Sequence, residues 1–504
     1  MNRREFLKTS AFASLAAAFA GCKSFVGEIP EGPFGLNMNR SRGQIAAGVK
    51  LLLAAGLSAL LSLHTSAATD AALVRQKADD AWRQLTTNVL HPKTGILSDG
   101  IAPDEKKPGL RCDRYFPTSA EIAKQFPNPA GWGTAMEDGV LHTVPMLLAA
   151  LARHRALGDD ESAAVARRIF VGLKRCVEVP GNGFLARNIS PFDLKSFYWN
   201  CSRDQYTQWV YGMWRYFKSP LASAQDKADV ARLVKMVAAY HEKHVTAATD
   251  FNSVRYDGHP AIYCRMWVAD PFKKPVVTAE NGGSVDGLCA HEVLRLHEIY
   301  LAAWTVSGEK HWKDLYDGII EGGLHIAELP LRENLAGFTS FQMQLSQRLL
   351  WEEDPDPVHK KRLLALLVRG AGCAAYSFQF TEKGLASLKG DVSAPMANWR
   401  KQKMTYMNSC WFHTDDFIGG FPYLLPEFSD DYGAAYSTVR EFGEGLCDRL
   451  LAPGLGPDAD LDAKFDKLMA KIDFTTHCSS GAVYPLLAYW WRISPEFPYI
   501  TMKQ

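Results

Sequence analysis

Residues 200–217 have the sequence NCSRDQYTQWVYGMWRYF, in which an Arg–Asp–Gln triplet stands directly before a run of aromatic residues. From Arg203 onward, apolar and aromatic side chains fall on nearly every face of a helix, which is typical of a buried helix. Asp204 then has two interpretations. It caps this helix, as aspartate often does, or it faces a pocket lined by rings.

The same pattern recurs along the chain, about every 68 residues between Asp138 and Ser480. At each recurrence a short polar signature precedes an apolar or aromatic helix. The signatures are EDG (137–139), RDQ (203–205), VDG (285–287), TSF (339–341), TDD (414–416) and SSG (479–481). A repeat at this spacing indicates that one supersecondary unit is used several times.

Helical periodicity dominates the chain, and alternating strands are scarce. Helices that follow a signature alternate with amphipathic, charged helices, such as AQDKADVARLVKMVAAYHEKH (224–244). Helices are predicted over 138–158, 160–179, 203–217, 222–245, 286–306, 309–327, 337–352, 357–375, 411–424, 431–451, 459–472 and 480–492. Alternation of buried and half-exposed helices favours an all-α fold, an (α/α)6 toroid of six helical hairpins over residues 69–504. A helical solenoid and two helical bundles are the alternatives.

The toroid has a consequence for function. Its inner helices run parallel, so that the polar signatures would surround one funnel, where helix N-termini favour anionic ligands such as uronic acids. The long loops 179–202, 246–285 and 376–410 would form the walls of the cleft.

Residues 1–68 are excluded from the fold as an export segment. Arg3 and Arg4 precede an apolar run, which is the layout of a twin-arginine signal. Small residues before Cys22 predict lipidation of that cysteine, and a membrane tether. A second apolar run at 51–63 is short for a membrane span, and it is also consistent with a start at Met38. Both starts predict a periplasmic or membrane-anchored protein.

The amino-acid composition argues against some classes of function. The formal net charge is +1, with 56 basic and 55 acidic residues and no basic block, so the electrostatic footprint of a nucleic-acid-binding protein is missing. The ten cysteines show no C-x-x-C and no zinc spacing. Trp and Tyr are plentiful, which suits a large core and also a carbohydrate cleft.

Asp138 and Asp204 are the candidate catalytic pair, because each stands at the start of a predicted inner helix, one hairpin apart. Glycoside cleavage commonly uses two carboxyl groups, one that donates a proton and one that activates water or attacks. Helix capping by both aspartates is the alternative.

The helix layout, with SRDQYTQWVYGMWRYF and AMEDGVLHTVPMLLAAL, resembles the six-hairpin glycosidases, and among them the unsaturated glucuronyl and rhamnogalacturonyl hydrolases. The resemblance implies that Asp204 protonates the vinyl-ether carbon of a 4,5-unsaturated uronic acid, and that Asp138 positions or activates the water. The order Glu137-Asp138-Gly139 departs from the family pattern, which makes Asp138 the weaker match.

Further residues are candidates for contact with an oligosaccharide. His413 would act as a base or bind a sugar, and Arg400 would pair with a uronate carboxylate. With Tyr406 or His413 as base, the chain would instead be a polysaccharide lyase. A third hypothesis is a non-catalytic glycan-binding lipoprotein. The substrate-binding candidates are Arg203, Gln205, Tyr206, Trp132, Arg187, Arg400, Tyr406, His413 and Asp416.

Two apparent motifs are set aside. HEVLRLHE (291–298) places its histidines six residues apart, whereas a zinc-binding HExxH helix needs four. NGGSVDG (281–287) lacks the Lys-Ser/Thr ending of a phosphate-binding loop, so it is interpreted as a loop and a helix cap. His291, Glu292 and Asp286 are nevertheless expected near the funnel. No metal and no cofactor is predicted.

Overall fold

A computed structural model describes most of the chain that follows the export segment. The described residues are 71–98, 113, 116–279, 281–332, 335, 337–367, 369–370, 400, 461–474 and 482–494. All of them belong to one compact unit, Asp70–Gln504. This part is mostly helical, as predicted, and it also contains two small sheets.

Most helices lie close to their predicted bounds. They are α1 (71–84, continued by a π-helical segment Leu85–Val89), α2 (Ser119–Ala123), α3 (Gly139–Leu157), α4 (Asp160–Glu178), α5 (Arg203–Lys218), α6 (Ala224–His244), α7 (Arg295–Ser307), α8 (Lys310–Ala327), α9 (Gly337–Glu353), α10 (357–367), α11 (Leu461–Lys471) and α12 (Val483–Ile493). The helices α1 and α2 have no counterpart among the predicted ones. The predicted helices 411–424 and 431–451 lie outside the described residues.

Local capping explains several of these bounds. Helix α3 ends at Gly158, which has a left-handed backbone (φ 68°) that glycine adopts at little cost. Helix α4 begins after Asp159, whose carboxylate accepts a hydrogen bond from the Ser162 amide at 2.8 Å. A reciprocal capping box between Ser223 and Asp226 starts α6.

The helices fall into two sets by burial. In α3 every residue from Gly139 to Ala152 is buried, and in α5 every residue from Gln205 to Tyr216 is buried. These buried helices pack on one another in the order α12, α3, α5, α7 and α9. In contrast, α4, α6 and α8 bury one face and expose the other. Trp209 and Trp214 belong to the core, as expected for rings deep in α5.

The stretch between α6 and α7 is where the sequence prediction was wrong. The predicted loop contains an antiparallel pair, β1 (Asn252–Val254) with β2 (Pro260–Arg265). A three-stranded sheet follows, with β3 (Val276–Thr278), β4 (Gly282–Val285) and β5 (Leu288–Cys289). The VDG signature does not start a helix. Asp286 and Gly287 both have positive φ, as a two-residue hairpin between β4 and β5 requires, so α7 begins only at Arg295.

None of the helices in the described part of the chain is long and apolar enough to cross a membrane.

Candidate functional site

The two candidate acids lie at the starts of neighbouring buried helices, and neither carboxylate caps its helix. Asp138 is the residue before α3, but its side chain makes no capping hydrogen bond. Asp204 is the second residue of α5, after Ser202 at the cap position. The capping alternative is therefore wrong for both, and their carboxylates are engaged by other side chains.

Asp138 sits in a closed polar corner. Its Oδ1 atom accepts hydrogen bonds from Arg187 Nη1 at 2.9 Å and from Gln205 Nε2 at 2.6 Å. Arg187 also donates to the backbone carbonyls of Glu137 (3.0 Å) and Asn200 (3.2 Å). The side chains of Arg187 and Asp138 are 5% and 16% exposed. Burial opposes the charge of Arg187, but nearby negative groups, Asp138 foremost, outweigh it and raise the pKa of the guanidinium.

Gln205 connects this corner to the neighbouring helix. Its Nε2 group donates to Asp138, and its Oε1 atom accepts from the Leu141 amide in the first turn of α3 at 3.0 Å. Two turns further along α5, Gly212 faces Val144, so close that a Cβ atom at Gly212 would lie 2.9 Å from the valine methyl groups. The start of α5, including Asp204, is thereby held beside the start of α3.

Asp204 forms a more open corner. Its carboxylate pairs with Arg295, whose side chain is 2% exposed, whereas Asp204 itself is 31% exposed. Arg203 points toward the sheet region instead, where it pairs with Glu292 and donates to the Arg265 carbonyl at 2.9 Å. Asp204 is thus the carboxylate of the pair that solvent or a ligand reaches more easily.

A third arginine, Arg332, lies close enough to His291 and Cys289 for its charge to act on both. Among the described residues it forms no ion pair, and its buried Nε atom has no hydrogen-bond partner there. Nearby His291 is 7% exposed, and its Nδ1 atom also lacks a partner. Burial and the positive charges of Arg332, Arg295 and Arg203 lower the pKa of His291 well below its ordinary value, so the imidazole is neutral. This arrangement favours an anionic ligand.

A metal centre at the same place is the competing possibility. One ligand atom each from Cys289, His291 and Glu292 lies within 4.8 Å of the others, a spacing that suits a metal ion. However, burial and the negative charge of Glu292 raise the pKa of Cys289 to about 11, which keeps the thiol protonated. Glu292 is already paired with Arg203, and the surrounding arginines repel a cation. The charges therefore favour the anion.

Two candidate sugar contacts, Tyr206 and Arg400, have other partners in the structure. Tyr206 is fully buried, with its hydroxyl accepting from the Leu185 amide at 3.3 Å, because this face of α5 turns toward His241 on α6. The guanidinium of Arg400 donates to both carboxylate oxygens of Glu121 on α2, at 2.7 and 2.9 Å.

Other candidates have positions that support the acids. Arg187 and Gln205 are buried and hold Asp138, while Arg203 holds Glu292. Trp132 is half-buried in the turn before α3, which Asn128 closes through hydrogen bonds to the Trp132 backbone at 3.0 and 3.2 Å. Tyr406, His413, Asp416 and Cys22 lie outside the described residues.

Two residues in the HEVLRLHE segment matter in a way that the sequence analysis missed. Arg295 pairs with Asp204, and Glu298 lies fully buried one turn later on α7. His297 faces away from them, toward the Ile319 carbonyl at 3.1 Å. The i, i+3 spacing of Arg295 and Glu298 was the available signal, since it places both on one face of a helix. Asp286 is in the exposed hairpin, paired with Lys273 at 2.6 Å.

Comparison with known proteins found no match to the chain among family models, curated proteins or solved structures.

Proposed function

We propose that this chain is a hydrolase of acidic, uronic-acid-containing oligosaccharides. Asp204 donates the proton, and Asp138 positions or activates the water. The observation that carries the proposal is that Gln205, the residue after Asp204 at the start of α5, donates a hydrogen bond to Asp138 at the start of the adjacent buried helix α3. Two carboxyl groups that flank one bond are what glycoside hydrolysis requires.

The different surroundings of the two acids support different roles. Asp138 receives two hydrogen bonds from buried side chains, which suits a group that stays ionised and holds a water molecule in place. Asp204 is more exposed and has one arginine partner. An acid that must first carry and then give up a proton needs such access to the ligand.

The charges around the pair support an acidic substrate. Arg332 has no anionic partner of its own in the described part of the chain, and its guanidinium is suited to a carboxylate. Neutral His291 beside it supplies a further hydrogen-bonding group. A neutral sugar would leave the charge of Arg332 uncompensated.

The proposal includes the (α/α)6 toroid and an exported location. The packing order of α12, α3, α5, α7 and α9, with half-exposed helices outside them, supports concentric rings. Export by the twin-arginine signal and lipidation of Cys22 rest on the sequence alone. A periplasmic or membrane-tethered enzyme would meet oligosaccharides released by lyases outside the cell.

The experiment follows ultraviolet absorbance of unsaturated uronyl ends in acidic polysaccharides, either digested with a lyase or left intact. The wild-type chain should remove the absorbance of the digested material. Asp204→Asn should slow this by about 10²–10⁴-fold, the usual contribution of a general acid. Asp229→Asn, which removes a carboxylate from the outer helix α6, is the matched control and should retain activity.

Each alternative outcome has a distinct signal. Rising absorbance on intact polymer that survives Asp204→Asn would mean a lyase, with the chemistry at Tyr406 or His413. Reducing ends released without any absorbance change would mean an ordinary glycosidase. Binding of oligosaccharide with no chemical change would mean a glycan-binding protein.

A further inference from the structure

Glu298 is a buried carboxyl group on the same helix as Arg295, the partner of the proposed acid. It lies on α7, one turn after Arg295, and it is 0% exposed. Its Oε2 atom accepts a hydrogen bond from Ser346 on α9 at 2.6 Å. Its Oε1 atom has no hydrogen-bond partner among the described residues. Burial raises the pKa of Glu298 well above its ordinary value, against the effects of Ser346 and Arg295, so this carboxyl group carries a proton.

Arg295 has one engaged end and one unengaged end. Its Nη1 atom pairs with Asp204, while its buried Nε atom has no hydrogen-bond partner in the part of the chain that the structure describes. An unsatisfied donor on Arg295 and an unsatisfied acceptor on Glu298 therefore occur one turn apart on one helix face. A buried polar atom without a partner calls for an explanation, and a second arrangement in which these two atoms meet would satisfy both.

We propose that Arg295 exchanges its carboxylate partner, from Asp204 to Glu298, and that this exchange places on Asp204 the proton it uses as an acid. The inference rests on the role of Asp204 in the proposed function. Glu298 is then a positioning residue that acts through Arg295 and does not itself touch the substrate.

The exchange conserves charge and protons. Before it, Asp204 is ionised and paired with Arg295, and Glu298 holds a proton. After it, Glu298 is ionised and paired with Arg295, and Asp204 holds a proton. One O–H bond breaks on Glu298 and one forms on Asp204, while the guanidinium keeps its charge throughout. The site thus gains a protonated acid without any change in net charge.

The neighbours of Glu298 allow this exchange. From α9, Ser346 donates to it. From α5, Asp204 is paired with Arg295, and Gln208 lies one turn beyond Asp204 with both amide atoms buried and without a hydrogen-bond partner among the described residues. Apart from burial, the groups that act on the pKa of Glu298 are Ser346 and Arg295, so Arg295 is the single charged group that acts on it in the described part of the chain.

The test is infrared spectroscopy of the full chain in the region where protonated carboxyl groups absorb, near neutral pH. The wild type should show such a band, and labelling glutamate with ¹³C should shift it. Glu298→Gln should abolish the band. Asp204→Asn should also abolish it, because Arg295 loses its first partner, turns to Glu298 and favours the ionised form.

Asp138→Asn is the matched control, because it makes the same change in the neighbouring corner, where Arg187 is the partner. The band should persist there. Persistence of the band in Asp204→Asn, or a wild-type spectrum without a glutamate band, would overturn the exchange. The readout needs no turnover, so failure of the proposed hydrolase activity would be visible separately. If Glu298→Gln does not fold, the exchange is still tested by the isotope shift in the wild type and by the spectra of Asp204→Asn and Asp138→Asn.

Discussion

The corners of Asp138 and Asp204 are built alike but closed to different degrees. In each, a carboxylate at the start of a buried helix meets a buried arginine. Arg187 donates to Asp138 and to two backbone carbonyls, so that removing it would take a donor from three acceptors. Arg295 has Asp204 as its single hydrogen-bond partner in the described structure. The first corner is a fixed network, and the second is a pair that can separate.

This difference suits the two corners to the two roles proposed for them. A carboxylate that keeps its position and its charge suits the handling of water. A carboxylate that can lose its counter-charge suits proton donation, because loss of the positive neighbour favours the protonated form. The two corners differ because Arg187 also donates to two backbone carbonyls, whereas Arg295 has no second hydrogen-bond partner among the described residues.

The largest expected effect is a difference in stability between variants that lack Arg187 and variants that lack Arg295. Arg187→Leu removes the positive partner of the half-buried Asp138 and one donor from each of two carbonyls, and we expect a loss of about 3–5 kcal/mol in the free energy of unfolding. Arg295→Leu should cost about 1–2 kcal/mol, because Asp204 is 31% exposed and solvent can replace its partner. Urea unfolding of both variants measures the difference.

Arg232→Leu is the control for loss of an arginine in general. Arg232 is 46% exposed and pairs with Glu178 and Asp229 on the surface, where ion pairs contribute about 0–1 kcal/mol. Equal losses in Arg187→Leu and Arg295→Leu would show that the two corners are equally closed, and would remove the basis for assigning them different roles.

A smaller effect tests the backbone of the Asp138 corner. A Cβ atom at Gly139 would lie 2.5 Å from Asn188 Nδ2 and 2.9 Å from the Arg187 carbonyl. Gly139→Ala should therefore push the Arg187 segment away and cost about 1–3 kcal/mol. Gly318→Ala is the matched control, since that helical glycine has open space around it and should gain up to about 1 kcal/mol. If Gly139→Ala leaves the free energy of unfolding in urea unchanged, the segment around Arg187 can move without cost.

The sequence predicted the helices of both corners well. In α3 and α5, periodicity and the polar signature placed the helix starts within a residue of their positions, because buried helices with strong patterns leave little ambiguity. The hairpin at Asp286–Gly287 was missed, although Asp-Gly is a strong turn signal, because the repeat spacing suggested a helix start there. That interpretation put the repeat pattern ahead of local turn chemistry.

The partners of the charged groups were beyond the sequence. Asp204 and Arg295 are 91 residues apart, so no local rule joins them. Likewise, Tyr206 was expected to touch sugar, but its direction depends on where α6 packs. Arg332 gave no signal, since it belongs to no motif. Residue type and helix position could be predicted, whereas ion-pair partners depend on the folded structure.

The last prediction concerns the pH dependence that Glu298 gives to the Asp204 corner alone. Burial raises the pKa of Glu298, so the folded chain keeps a proton that the unfolded chain releases above the ordinary glutamate value of 4.5. The stability from this protonated group is complete below that pH and is lost as the pH rises toward the folded pKa. The variant Glu298→Gln has no carboxyl group at this position, so it does not lose stability in this way. Its free energy of unfolding should therefore rise relative to that of the wild type by up to about 1.4 kcal/mol per pH unit.

Urea unfolding of Glu298→Gln and wild type between about pH 5 and pH 8 measures this slope. The control is Glu161→Gln, because Glu161 is 58% exposed and lies on the half-exposed helix α4. A slope in Glu298→Gln equal to that of the control would mean that Glu298 is ionised in the folded chain. In that case the proton for Asp204 would have to come from solvent, and the two corners would differ only in exposure.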